Sequence, residues 1–250
     1  MIRTLLTALA LAATVALAPP SAHADASSSA FTPAQRDAIV EIVRDALKSD
    51  PSILRDAVAA LQADESNIRE AASRTAIGKA GPSLTQTSGD PVAGNPSGDV
   101  TVVEFYDLRC PYCRRMLPVV ADLLRADPKI KLIYKDIPIL GPASVLGAKA
   151  VLAARRQGGY QKLHDIVMAG PPTITEDSLR ADAERAGLDW GRLRRDMDDP
   201  GIEKRISDNL DLAHALGIEG TPAYVIGAKL LPGAVDLAEL QQAVAAARTP

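Results

Sequence analysis

The sequence predicts an α/β domain that is split by a helical insertion and preceded by a separate helical segment. Three observations carry that expectation. Strand, helix and strand signals follow one another from Val100 to Ile139, the pattern of a βαβ unit with a parallel strand pair. From Tyr160 to about Ala215 only helical periodicity appears, and strand character returns in TPAYVIGAKLLPG, residues 221–233. Phe31 to Lys79 reads as helix and is set apart by a stretch rich in Gly, Pro, Ser and Asp.

The chain opens with MIRTLLTALALAATVALAPPSAHADA. A single basic residue, Arg3, an apolar run from Leu5 to Ala18 and small residues before Asp25 match a secretory signal over residues 1–24, with cleavage expected after Ala24. The run is shorter than the roughly 20 residues a bilayer span requires, and it ends at Pro19-Pro20. A chain of 250 residues with 47% hydrophobic residues can bury a sizeable core. Its formal net charge is -3 and no basic cluster is dense enough to hold phosphates, so nucleic acid is not an expected partner.

Thr32 is placed to cap a helix whose first residue is Pro33, and Ile39, Val40, Ile42, Val43, Ala46 and Leu47 follow at helical spacing. Asp50-Pro51 signals a second start, followed by Ile53, Leu54, Ala57, Val58 and Leu61, and a weaker third pattern begins at Ser66. These helices carry too few large side chains to form a core alone. The helical segment is bounded at 25–80, a linker at 81–98 and the α/β domain at 99–250. Within the linker only the neighbourhoods of Leu84 and Val92 are apolar enough to pack on the domain as an edge strand.

In the α/β domain VTVVEFYD reads as a buried strand, PYCRRMLPVVADLLRAD as a helix, KIKLIYKDIPI as the second strand and ASVLGAKAVLAARRQG as the next helix. The helical insertion is set at about 142–216. Two short strands around Ile226-Gly227 and a final helix from about Asp236 to Ala247 complete the domain.

The chain has two cysteines, Cys110 and Cys113, placed where the first strand meets its helix. A zinc site needs four ligands; with no further cysteine and with His164 and His214 isolated, no metal is expected. As a structural staple the pair is poor, because the entropy removed from the unfolded chain grows with loop length. As a redox couple the spacing is well suited. Cys110 falls at a helix N-terminus, where free N–H groups and the helix dipole stabilise a thiolate. Cys113, one turn further in, can reach back and resolve a mixed disulfide that Cys110 forms with a substrate.

The stretches VVEFYDLRCPYCRRMLP, KDIPILGPASVLGAKAVLAA and GIEGTPAYVIGAKLLPGAVDLAEL resemble the DsbA-type branch of the thioredoxin superfamily. The resemblance runs from about residue 98 to 248. It implies a thioredoxin fold with a helical insertion and a thiol-disulfide oxidoreductase with no cofactor beyond its redox-active disulfide, Cys110-Cys113. The preceding helical segment is similar to the N-terminal region of ScsC-like periplasmic proteins of that branch, where it forms a stalk that mediates self-association. This implies a periplasmic homo-oligomer joined through residues 31–79, acting on misfolded or cysteine-containing secreted proteins and reset by a membrane thiol-redox partner.

By the same resemblance Pro222 is expected to be cis and to lie against the cysteines, with the backbone of Thr221 pairing with an extended substrate segment. Glu104 breaks an apolar strand, and burying it unpaired would be costly, so Lys135 of the neighbouring strand is its expected partner. One reading gives Glu104 and Lys135 proton management beneath the cysteines, with Glu104 helping to deprotonate Cys113. The other lets Glu104 reach the end of the sheet, or leaves Lys135 at the surface. Arg109, Arg114 and Arg115 are expected to form a solvated rim, and Met116 to face either the core or an apolar groove.

Tyr112 stands where related proteins often carry a histidine. A neutral phenol offers the thiolate less stabilisation than an imidazolium, so the couple is expected to be less oxidising than a dedicated oxidase. Self-association raises the effective thiol concentration around one client. Both points favour isomerase or reductase activity. The competing readings are a dithiol oxidase of DsbA type and a non-enzymatic chaperone or copper-handling protein that binds Cu(I) through the thiol pair.

Overall fold

The computed structural model describes residues 31–85 and 89–249. The expected signal lies outside the described residues. The chain divides into two units, residues 1–60 and 61–250.

In the first unit, α1 (Pro33–Ser49) starts as its sequence demands: Thr32 accepts from the Gln35 N–H, and the Gln35 side chain accepts from the Thr32 N–H at 2.8 Å. No residue of α1 is buried. The second helix, α2 (Ser52–Thr85), opens on the Asp50 carboxylate, which accepts the Ser52 N–H at 3.0 Å. Ile39, Val40, Ile42, Val43, Leu47, Ile53, Leu54 and Val58 are all exposed.

The break expected near Ser66 is absent, since no Gly or Pro interrupts the run from Ser52 to Ile77. The helix is kinked within the second unit, where Gly81 leaves helical geometry (φ 17°, ψ -92°) just before Pro82.

The second unit is built on a sheet of β1 (Val92–Gly94), β2 (Val100–Tyr106), β3 (Ile130–Asp136), β4 (Ala223–Ile226) and β5 (Lys229–Pro232), in the order β1-β3-β2-β4-β5. The strands β2 and β3 are parallel, with Val100 opposite Ile130, and α3 (Pro111–Ala126) crosses between them. The other pairs are antiparallel. The insertion between β3 and β4 comprises α4 (Pro142–Ala154), α5 (Tyr160–Ala169), α6 (Glu176–Ala186), α7 (Trp190–Asp196) and α8 (Pro200–Ala215), and α9 (Leu237–Ala247) follows β5. The segment expected to be a linker is therefore part of the domain: β1 lies within it, and Leu84 and Asp90 are buried.

Alternation along the strands sorts the side chains onto two faces. Val102, Tyr106, Leu132 and Tyr134 face a core completed by Met116, Leu123, Leu163 and Leu240 from α3, α5 and α9. Val103, Phe105, Ile133 and Val225 face a second core closed by Ile77 and Leu84 of α2 and Ala213 of α8. The first face carries the cysteines.

Candidate active site

The apolar run of β2 ends at Asp107, whose buried carboxylate organises the turn that follows. It accepts the Arg109 N–H at 2.8 Å, the Ser144 hydroxyl at 2.8 Å and the Leu140 N–H at 3.0 Å. The Cys110 N–H returns to the Asp107 carbonyl at 3.0 Å. Cys110 then sits at the N-cap of α3 in an extended conformation, with Pro111 as the first helical residue. Proline costs nothing there, because the first N–H groups of a helix lack intrahelical partners.

Cys110 and Cys113 are both buried and not bonded to each other. The Cys110 thiol donates to the Thr221 carbonyl at 3.2 Å. The Thr221-Pro222 peptide is cis, and the Pro222 carbonyl accepts the Gly233 N–H at 2.8 Å, which fixes this loop beside β5. The structure therefore brings Cys110, Cys113, Thr221 and Pro222 to one place.

Glu104 lies behind them on the cysteine face, buried at 4% exposure. The antiparallel register sets it opposite Tyr224, whose hydroxyl donates to its Oε1 at 2.9 Å. Burial pushes the Glu104 carboxyl up to about 7, against the hydrogen bond from Tyr224 that favours its charge. Burial also pushes the Cys113 thiol far up, and the charges of Cys110 and Glu104 add to that, so Cys113 needs a base to become a nucleophile.

Lys135 is not the partner of Glu104. The parallel register sets Phe105 opposite Lys135 and Glu104 opposite Tyr134, so the lysine belongs to the opposite face. There its ammonium donates to Asp90 at 2.6 Å and to the Ser83 carbonyl at 3.0 Å, and Arg205 holds the other Asp90 oxygen at 2.7 Å.

Two of the three arginines are not merely a solvated rim either. Arg114 donates to the carbonyls of Met168 at 3.0 Å and Gly170 at 2.6 Å, and Arg109 to the carbonyl of Leu140 at 2.5 Å. They tie the insertion and the loop after β3 to the turn that carries the cysteines. Arg115 stays at the surface, over the ring of Tyr112 at 4.2 Å. Met116 faces the core. Tyr112, Ile139 and Leu140 are exposed beside the cysteines, by 52%, 44% and 42%.

Asp107, Tyr224 and the buried Asp136 escaped the sequence reading. Asp107 could have been found as the carboxylate that closes the strand three residues before Cys110. The other two depend on strand register, which periodicity alone does not supply.

Residues 101–245 match the model of the DSBA-like thioredoxin domain. The chain belongs to the DsbA-like thioredoxin family. Residues 35–66 match the N-terminal domain of the copper resistance protein ScsC. A thioredoxin-like oxidoreductase from Silicibacter pomeroyi DSS-3 is 44% identical, with a TM-score of 0.67 over 68% of this chain and 98% of that one. A linker-deletion mutant of Proteus mirabilis ScsC is 28% identical, with a TM-score of 0.65 over 88% of this chain and 98% of that one. Among curated relatives, a protein named Na(+)/H(+) antiporter NhaA 3 from Salinispora tropica is 31% identical over 160 residues, 63% of this chain. The chain spans about a quarter (24%) of that relative's length. In this DsbA-like domain the cysteine pair meets the loop of the cis proline through the Cys110–Thr221 contact, and the buried acid acts on Cys113.

Proposed function

We propose that the chain is a thiol-disulfide oxidoreductase of DsbA/ScsC type, working in the periplasm as an isomerase or reductase of protein disulfides. The observation that carries this reading is the Cys110 thiol on a helix N-cap, 3.2 Å from the Thr221 carbonyl that precedes the cis proline. The Cys110 thiolate attacks one sulfur of a client disulfide; a new S–S bond forms, the client bond breaks, and the departing client sulfur takes a proton. Cys113 then yields its proton to Glu104 and attacks Cys110. This releases the second client thiol and leaves a Cys110-Cys113 disulfide, so two electrons have passed to the client. In isomerisation a different client thiolate attacks the client sulfur of the mixed disulfide instead, so a new client disulfide forms, Cys110 leaves as its thiolate and the couple stays reduced.

The clients are misfolded or cysteine-containing secreted proteins, and a membrane thiol-redox partner restores the dithiol. The row of exposed Ile, Val and Leu side chains on residues 39–58 supports assembly into a homo-oligomer through residues 31–79, because large apolar side chains seldom stay in water without a partner. The match of residues 35–66 to the ScsC N-terminal domain supports the same assembly.

That match also favours a second reading, in which the two thiolates bind Cu(I). Replacing Cys113 with Ala separates the two. Mixed disulfides trapped on client proteins support the enzyme, whereas tight stoichiometric Cu(I) binding to the unaltered chain, with no trapped client, supports the carrier. Light scattering together with recovery of scrambled ribonuclease tests direction: a monomer inactive in that assay points to an oxidase. Exchanging Tyr112 for His should shift the equilibrium with glutathione about tenfold toward the reduced form of the couple.

A further inference from the structure

The face of the sheet that holds Glu104 also holds four of the chain's five tyrosines, Tyr106, Tyr134, Tyr160 and Tyr224, all buried. A second buried carboxylate lies among them. The parallel register sets Tyr106 opposite Asp136, as it sets Glu104 opposite Tyr134. Glu104 and Asp136 therefore share one face of adjacent strands, one side-chain repeat apart. Tyr106 donates to Asp136 Oδ1 at 2.5 Å, the Tyr106 and Tyr160 hydroxyls lie 2.7 Å apart, and Tyr160 reaches Oδ2 at 3.4 Å.

We propose that Asp136 is a positioning residue for the resolving step, whose charge, felt across the tyrosine layer, sets how readily Glu104 takes the proton of Cys113. This rests on the reading of Glu104 as the base for Cys113. The groups facing Asp136 are Tyr106 from β2, Tyr134 from its own strand, and Tyr160 and His164 from α5, whose rings stack at 5.8 Å. Asn209 of α8 donates to its backbone carbonyl at 3.2 Å. Asp90, paired with Lys135 and Arg205 on the other face, adds repulsion. Glu104 is faced by Tyr224 from β4, Tyr134 from β3, Cys113 from α3 and Tyr160 from α5.

The side-chain hydrogen bonds to both carboxylates come from neutral phenols, and burial pushes each up to about 7. In such a layer, ionising one acid makes the other harder to ionise. Glu104 can accept the Cys113 proton only when it is itself ionised, so a charged Asp136 moves that condition to higher pH.

The experiment uses the full chain with a mixed disulfide formed between Cys110 and a cysteine peptide, and follows its resolution by Cys113 from pH 5 to 9. Glu104→Gln is expected to lose the pH-dependent limb. Asp136→Asn should move the midpoint down by about one pH unit. Tyr160→Phe, which removes a donor from the Asp136 carboxylate, should move it less and in the same direction. Should Asp136→Asn fail to fold, Tyr160→Phe decides.

Unshifted midpoints in both variants, with the limb lost in Glu104→Gln, overturn the coupling while the role of Glu104 stands. An unchanged profile in Glu104→Gln overturns that role, and the inference with it. A shift from Asp136→Asn that persists in the Glu104→Gln background also overturns the coupling, because Asp136 would then act on the sulfurs without Glu104.

Discussion

On the reverse face of the sheet Asp90 is held between Lys135 at 2.6 Å and Arg205 at 2.7 Å, whereas on the cysteine face Glu104 and Asp136 are held by the hydroxyls of Tyr224, Tyr106 and Tyr160. All three acids are buried to within 4% exposure. The difference lies in what neutralises them. A carboxylate clasped by two cations serves to join segments: here it fastens the chain before β1 to β3 and α8. A carboxylate offered phenols has its charge stabilised only in part, so it is the one ready to hold or release a proton near neutral pH.

Four variants break or sharpen that contrast. Asp90→Ala leaves Lys135 buried without its carboxylate and should cost about 3–5 kcal/mol in urea denaturation. The pH profile of exchange should move less than in Asp136→Asn, because Asp90 reaches Glu104 only through Asp136; a small cost, or a larger move, would end the distinction between the faces. Glu104→Gln should do the reverse. With a folded value of about 7 against an ordinary 4.5, Glu104 binds more protons folded than unfolded between those limits. Wild-type stability therefore falls as pH rises through that window and stays low above it. The variant should lack Glu104's share of this fall, Asp136 keeping its own, and be more stable than wild type at pH 8 by about 3 kcal/mol; equal stability of variant and wild type at pH 8 would contradict this.

Arg114→Met removes the donor to Met168 and Gly170 and should cost about 1–2 kcal/mol in urea denaturation. Smallest of all, Asp90→Leu combined with Lys135→Met and Arg205→Met should fall within about 1 kcal/mol of wild type, because a buried ionic triad replaced as a unit costs little.

Much of this architecture was legible in the sequence. The cap at Thr32, the strand ending before Cys110, the crossover helix and the inserted helices all follow from local signals of spacing and capping. What failed was register. Glu104 and Lys135 sit on strands that were both identified, but side-chain direction alternates with every residue, so a pairing guessed one place off put the lysine on the wrong face. The tyrosine layer was missed for a related reason. Tyr106 and Tyr160 are separated by 54 positions and Glu104 and Tyr224 by 120, and only the folded sheet makes neighbours of them. Asp90 lay in a stretch whose Gly and Pro content suggested a linker, where nothing local marked it as half of a buried pair.

Leu140 offers one more consequence. Its N–H is taken by Asp107 and its carbonyl by Arg109, at 3.0 and 2.5 Å, while its side chain stands 42% exposed beside Ile139 and the cysteine turn. An apolar knob whose backbone is secured at both ends has already given up its conformational entropy. The ordering cost of any encounter there falls on the other molecule.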